Sequence, residues 1–327
     1  MLRRTIFSLL LVVLGLAACV PATPPPALLT SSAPRKIRLP MGFIPSVQYA
    51  NFYVAAEKGY FADEGLEVEF DYSFETNGVA LVGAGQLPFA LVSGEQVLLA
   101  RAQGLPVVYV MAWFQKFPVA VVSLAESNIT QPADLKGKTI GVPTLDGANF
   151  VGLRAFLAAN GIAAEEVTIE AIGFNQVEAL SAGRVDAAVV YSNNEPIRLA
   201  AQGLQLSVMQ VSDYAALAAN GVLSNEQTIA AEPELVRAFV RAVARGTQAV
   251  IDNPDEAYTI AKKYVETLTD EAVEKQVLAA TVELWKAERL GQTDADAWQT
   301  MQTTLLEAGL LTAPLDLSQA FTNDFVP

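Results

Sequence analysis

A chain of 327 residues that contains no histidine and a single cysteine has few routes to covalent chemistry. Nucleophiles paired with histidine, histidine-based zinc centres and thiolate metal sites are all excluded. Carboxylates and lysines remain able to act as acids, bases or nucleophiles, so composition alone does not forbid an enzyme. The polar and aromatic residues that follow the expected strands are nevertheless of a different kind. They are Phe43, Gln48, Tyr49 and Asn51, then Phe74 and Glu75, then Ser93, Glu95 and Gln96, then Trp113 and Phe114. Further along come Asp146 and Asn149, Phe174 and Asn175, and finally Tyr191, Asn194 and Glu195. Flat aromatic faces combined with amides and carboxylates suit the binding of a planar, hydrogen-bonding heterocycle. No arginine accompanies them and only Lys116 lies near a strand end, which disfavours an anionic ligand. Several of these residues also have a plainer role. Trp113, Phe43, Tyr49 and Phe174 could each close a core, and Glu95 and Asn149 could simply open helices, where acids and amides satisfy free N–H groups.

The elements that must position these groups follow from periodicity. From Ile37 onward short apolar runs alternate with amphipathic stretches of helical length, most of them ending in glycine, which is the pattern of an α/β fold. Strands are expected at Ile37–Met41, Leu66–Phe70, Phe89–Val92, Val107–Ala112, Val119–Ser123, Thr139–Val142, Val167–Ile172, Val185–Val190 and Leu206–Val211, with helices between them at Val47–Lys58, Glu95–Gln103, Asn149–Asn160, Gln176–Ala182 and Pro196–Gln202. After about Asp213 the strands give way to long amphipathic segments, beginning at Pro233, Pro254, Asp270 and Asp294. Proline fits the first turn of a helix, where its missing N–H costs nothing. Two strand–helix blocks followed by a helical tail predict a two-lobed protein crossed twice by the chain. Lobe 1 is then residues 36–118 with 212–327, and lobe 2 is residues 119–211, each a mixed sheet flanked by helices. A ligand is expected in the cleft between them, beyond the carboxyl ends of the strands.

The amino terminus carries a different message. Arg3 and Arg4 precede an apolar segment from about Ile6 to Leu16, too short to span a bilayer, and the run closes in Leu16-Ala17-Ala18-Cys19. This resembles a bacterial lipoprotein signal peptide of residues 1–18, with Cys19 as the lipidated first residue of the mature chain. Acyl chains contribute ~0.8 kcal/mol per buried methylene, so two or three, palmitate among them, would anchor the protein durably to the cell membrane. Residues 19–35, rich in proline, serine and threonine, read as a tether. Removing residues 1–18 takes two arginines and no acid, so 21 basic residues become 19 against 35 acids and the net charge moves from −14 to −16. Such a surface repels nucleic acid and anionic lipid.

Residues Asn51–Val68 (NFYVAAEKGYFADEGLEV) resemble the first helix and second strand of the substrate-binding proteins of ABC importers, in the branch related to thiamine-pyrimidine synthases. Leu81–Ala90 (LVGAGQLPFA), Ala133–Pro143 (ADLKGKTIGVP) and Ala179–Asn194 (ALSAGRVDAAVVYSNN) agree, so the resemblance covers most of residues 36–211. It implies a periplasmic-binding-protein fold of the two-crossover type and a ligand cleft that includes Tyr191 and Glu195. It further implies an extracytoplasmic monomer that closes on a small molecule and delivers it to membrane permease subunits, with no resident cofactor or metal. Two ligand classes compete within that branch, riboflavin and the aminopyrimidine precursors of thiamine. Gly42–Tyr49, Phe74-Glu75-Thr76, Ser93–Gln96 and Met111–Gln115 look more like the riboflavin-binding members, and a three-ring ligand would use the aromatic faces better. The branch also contains thiamine-pyrimidine synthases, which consume a histidine of their own and carry a cysteine-rich segment. This chain has neither.

Overall fold

The computed structural model describes residues 33–327 except positions 267 and 269. The signal segment, Cys19 and the tether up to residue 32 lie outside the described residues. Strand β1 (Arg35–Gly42) turns Ile37, Leu39 and Met41 inward and pairs in parallel with β2 (Leu66–Phe74). Helices α1 (Ala50–Glu57) and α2 (Tyr60–Asp63) connect them, and α3 (Glu75–Gly83) follows β2 directly. Strand β3 (Ala90–Val92), helix α4 (Gly94–Ala102) and the wholly buried strand β4 (Val107–Ala112) complete this part of the chain.

The next strands form one five-stranded mixed sheet. They are β5 (Val119–Leu124), β6 (Thr139–Val142), β7 (Thr168–Ala171), β8 (Ala187–Tyr191) and β9 (Leu206–Gln210), in spatial order β7-β6-β8-β5-β9. β6 runs parallel to β7 and β8, whereas β5 is antiparallel to both β8 and β9. Helices α5 (Gly147–Ala159), α6 (Gln176–Ser181) and α7 (Glu195–Ala201) follow β6, β7 and β8, as parallel strands require. The chain then returns to the first strand set as β10 (Gly221–Asn225), which inserts antiparallel between β3 and β4.

Helices α8 (Glu226–Ala231), α9 (Pro233–Asp252), α10 (Pro254–Ala261), α11 (Glu271–Trp285) and α12 (Ala295–Glu307) make up the tail. Pro233 and Pro254 occupy first turns as expected, and the Asn253, Asp270 and Asp294 side chains cap α10, α11 and α12. Helix α9 buries Val236, Phe239, Val240, Val243 and Val250 at helical spacing, each worth roughly 1.5–3 kcal/mol when fully buried. Phe239 stacks on Phe61 at 5.6 Å and on Phe89 at 4.2 Å, which joins the tail to α2 and to the approach to β3. Helix α5 packs against α4 and α12, and α11 against α7, so residues Pro34–Pro327 cluster as one unit.

Besides the short α8, which precedes the segment expected at Pro233, two elements differ from the sequence expectation. Strand β10 lies where only helices were expected after Asp213. It is short, and it carries polar residues into the interior, where Ser224 Oγ donates to Pro88 O and Asn225 Nδ2 to Val82 O. Helix α3 is the other, and Gly78 within it lowers its apparent propensity. Gly78 is there for packing, since a Cβ would meet Pro40 Cβ at 2.9 Å and Ala90 Cβ at 3.0 Å.

Helices α1 and α9 touch backbone to backbone at Gly246, where an added Cβ would stand 2.2 Å from Asn51 O and 2.9 Å from Ala55 Cβ. Replacing Gly246 by alanine should therefore lower stability by about 1–3 kcal/mol, even though alanine alone favours a helix by ~1 kcal/mol. Urea denaturation measures it, and a neutral or stabilised variant would refute the close contact.

Candidate functional site

A cavity of about 400 Å³ opens between the two strand sets. Nearly every wall residue sits at the carboxyl end of a strand, the position at which open α/β sheets present their loops. Phe43 follows β1, and Gln48 and Tyr49 lie in the 3₁₀ turn before α1, which Ser46 caps by accepting from Gln48 N–H at 3.2 Å. Phe74 and Glu75 come from the β2–α3 corner, Ser93 and Gln96 from the β3–α4 corner, and Trp113 and Phe114 from the end of β4. The opposite wall is supplied by Asp146 and Asn149 at the start of α5, Phe174 before α6, and Tyr191, Asn194 and Glu195 at the β8–α7 corner.

Three residues expected at the site lie off the cavity wall. Asn51 is buried between α1 and α9, donating to Thr247 Oγ1 at 3.1 Å, so it ties two helices together. Asn175 is exposed and donates back to Ile172 O at 3.2 Å; the turn that opens α6 sends its neighbour Gln176 into the cavity instead. Glu95 is wholly buried one layer behind the wall, hydrogen-bonded to Ser93 Oγ. Asn149 does line the cavity, but it does not cap α5, and its Nδ2 donates to Val189 O at 3.0 Å.

The aromatic wall is already assembled. Trp113 stacks on Phe114 at 4.2 Å and on Tyr49 at 5.1 Å, and Tyr49 is held by a 2.8 Å hydrogen bond from its hydroxyl to Met41 O. These three rings form a slab whose members support one another, and the core role and the wall role of Trp113 coincide. Phe43 and Phe174 meet across the cavity at 5.5 Å. Beyond that pair lies a second cavity of about 520 Å³, whose polar groups include Ser46, Gln176, Arg198 and Gln202. Arg198 there donates to Asn194 Oδ1 at 2.7 Å and to the buried Glu274 at 2.9 Å.

Asn220 was not anticipated from the sequence. It precedes β10, and because β10 is antiparallel, its beginning lies at the same edge as the ends of β3 and β4, with Gly221 opposite Val92 and Ala112. The Asn220 carbonyl accepts the N–H groups of Trp113 at 2.9 Å and Phe114 at 3.0 Å. Its side chain meets the Tyr191 hydroxyl, 3.1 Å from Nδ2 and 3.3 Å from Oδ1. One residue thus fixes rings on both walls.

Glu75, Asp146 and Glu195 line the cavity, whose wall carries no lysine or arginine, although Arg198 in the second cavity lies close enough to Glu195 to favour its ionised form. Burial pushes the Glu195 carboxyl above its ordinary range, and N–H donors on Glu195 itself and Tyr191, with the Asn194 amide and the charge of Arg198, pull it back. The Tyr191 and Tyr49 hydroxyls are pushed well above theirs by burial and then by the nearby charge of Glu75. No group of three metal-ligating side chains occurs among the described residues, and no described helix is long and apolar enough to cross a membrane. The arrangement can stack and hydrogen-bond a flat molecule from two sides.

A family model described as "NMT1/THI5 like" matches residues 46–257. The riboflavin-binding protein RibY of Chloroflexus aurantiacus is 40% identical, across 100% of this chain and 99% of its own length. The formylaminopyrimidine-binding protein of Halalkalibacterium halodurans is 31% identical, across 97% of this chain and 98% of its own. Among solved structures, the periplasmic aliphatic sulphonate binding protein SsuA of Escherichia coli superposes with a TM-score of 0.74 at 14% identity, covering 89% of this chain and 92% of that one. The fold is therefore that of the periplasmic binding proteins, as the sequence implied.

The Tyr191–Asn220 contact gives a direct test of how the walls are joined. In a double-mutant cycle with Tyr191→Phe and Asn220→Ala, urea denaturation should return a coupling of about 0.5–1.5 kcal/mol. Strict additivity would show that the two side chains stabilise the fold independently.

Proposed function

The chain belongs to the NMT1/THI5-like family, and we propose that it is the extracytoplasmic solute-binding component of an ABC importer, with riboflavin as its ligand. The observation that carries this reading is the cavity itself, walled from both strand sets by rings, amides and carboxylates and free of cationic side chains. Such a wall favours a flat, uncharged, donor-bearing heterocycle and disfavours an anion. Kinship with a riboflavin-binding protein over the whole chain length supports the flavin. So does the second cavity beyond Phe43 and Phe174, where Gln176, Arg198 and Gln202 suit the hydroxyls of a polyol tail.

In this reading residues 36–118 with 212–327 form one lobe, residues 119–211 form the other, and capture is a hinge closure. Three side-chain pairs, Tyr191–Asn220, Asn193–Thr281 and Arg198–Glu274, run between those segments and would have to part on opening. A lipid on Cys19 would hold the protein at the membrane, near the permease that accepts the cargo. An aminopyrimidine precursor of thiamine is the rival ligand, supported by the second relative. A synthase reading has little support, because the chain holds no histidine from which to build a pyrimidine.

Titrating residues 20–327 with riboflavin should quench the flavin's fluorescence with a midpoint at low micromolar protein or below. Calorimetry with formylaminopyrimidine should meanwhile show little heat; heat from the pyrimidine without flavin quenching would transfer the assignment to the rival. For the anchor, the full chain expressed in a bacterial host should incorporate labelled palmitate, and Cys19→Ser should not. Equal labelling of both would remove the lipoprotein reading.

A further inference from the structure

Behind the cavity wall, Ser93 Oγ hydrogen-bonds two carboxyls at once. It lies 2.6 Å from Glu75 Oε2 and is also bonded to Glu95 Oε1. A serine hydroxyl has one hydrogen, so it can donate to only one of them. Were both carboxylates ionised, the other contact would set lone pair against lone pair. The trio must therefore hold one further proton. Its position follows from the remaining partners. Glu75 Oε2 also receives the Ser93 N–H at 3.1 Å, so that oxygen is fed by two donors, as an ionised carboxylate requires. Glu95 has weaker support, from Gln96 Nε2 at 3.5 Å and its own backbone N–H, and its Oε2 is buried with no side-chain or main-chain hydrogen bond. The consistent chain runs from the Glu95 acid O–H to Ser93 Oγ, and from the Ser93 O–H to Glu75. Ser93 stands at the cap position of α4, yet its hydroxyl makes no cap and is spent on this link.

We propose that Glu75 is the specificity-determining acceptor of the cavity, kept as a carboxylate because Glu95, acting through Ser93 as a positioning residue, retains the shared proton, and that it selects ring systems presenting an N–H donor. This rests on the heterocycle-binding function proposed above. Both hydrogen bonds to Glu75 fall on Oε2, which leaves Oε1 for a ligand. Gly42, at φ +83°, makes room for the carboxylate, since a Cβ there would stand 2.8 Å from Glu75 Cγ.

The surroundings allow the shared proton and offer no competing cation. The titratable groups facing the pair are Tyr49 before α1 and Tyr191 on β8, with Asp146 and Glu195 on the opposite cavity wall. Among the elements packed on α4, Arg101 turns to Val107 O, Glu226 and Gln319, and Arg154 of α5 lies over Phe150. Burial, and then the charge of Glu75, pushes the Glu95 carboxyl up to about 8, in keeping with an acid form at neutral pH. The Glu75 carboxyl is also raised by burial, while the Ser93 O–H and N–H oppose that rise.

Three variants and two readouts test this. With riboflavin as probe at pH 7, Glu75→Gln should bind at least tenfold more weakly. Glu95→Ala should weaken binding as well, and Glu95→Gln should restore it, because the Gln amide donates to Ser93 as the acid does. Melting of the ligand-free protein supplies the second readout. A carboxyl raised from 4.5 to about 8 gives stability that is fully present below 4.5 and is lost as pH rises to about 8. Wild type should therefore lose melting temperature relative to Glu95→Gln across that window and run parallel to it above. Parallel melting profiles throughout, or a Glu95→Gln variant as weak as Glu75→Gln, would overturn the proposal. If wild type failed to bind riboflavin, the ligand reading would fall, and the melting comparison would still decide whether the proton is shared.

Discussion

Rings on two different walls depend on where Asn220 sits. The chain leaves the first strand set after Phe114 and returns to it at Asn220, and at that return the Asn220 carbonyl fixes the main chain of Trp113 and Phe114 while its amide holds the Tyr191 hydroxyl. Asn220 is thus the hydrogen-bonded link between the Tyr49–Trp113–Phe114 slab and the Tyr191 wall at this corner. The antiparallel entry of β10 is what brings the residue there. It places the first residue of a late strand beside the last residues of β3 and β4, so that three corners of the sheet converge on one cavity.

Electrostatics then decides what such a cavity can hold. Its wall carries no lysine or arginine, Arg198 acts on Glu195 from the second cavity, and burial raises the Glu75, Glu95 and Glu195 carboxyls. Protein donors compensate them, through Ser93 in one case and through Tyr191 N–H and the Asn194 amide in the other. A ligand bringing a negative charge would meet carboxyls and no cation on the wall to offset them, whereas one bringing N–H groups and flat faces would meet acceptors and rings. The apolar corners Phe74 and Phe174, 61% and 56% exposed, stand at the cavity's edge, where contact with a bound ring system would cover them.

Much of this was legible in the sequence because strand ends can be read from apolar runs, and the rule that ligands lie beyond carboxyl ends then gathers residues far apart in the chain. Phe43, Glu75, Trp113, Asp146 and Tyr191 come together for that reason. The same rule hides Asn220, which lies at the amino end of an antiparallel strand. Strand β10 itself was obscured by Ser224 and Asn225, polar residues that are buried and satisfied by backbone carbonyls. Asn51, Asn175 and Glu95 are close in sequence to the wall but not on it, because helix phase turns Asn51 and Glu95 away and the turn that opens α6 leaves Asn175 outside. The neighbours Gln48 and Gln176 carry the amides that reach the cavity.

A crystal structure of the protein grown with saturating riboflavin tests the central claim most directly. The ring system should lie inside the cavity, between the Tyr49–Trp113–Phe114 slab and Tyr191, with a ring N–H about 2.7–3.2 Å from Glu75 Oε1. An empty cavity, or a flavin seated on the outer surface with no contact to these residues, would contradict it.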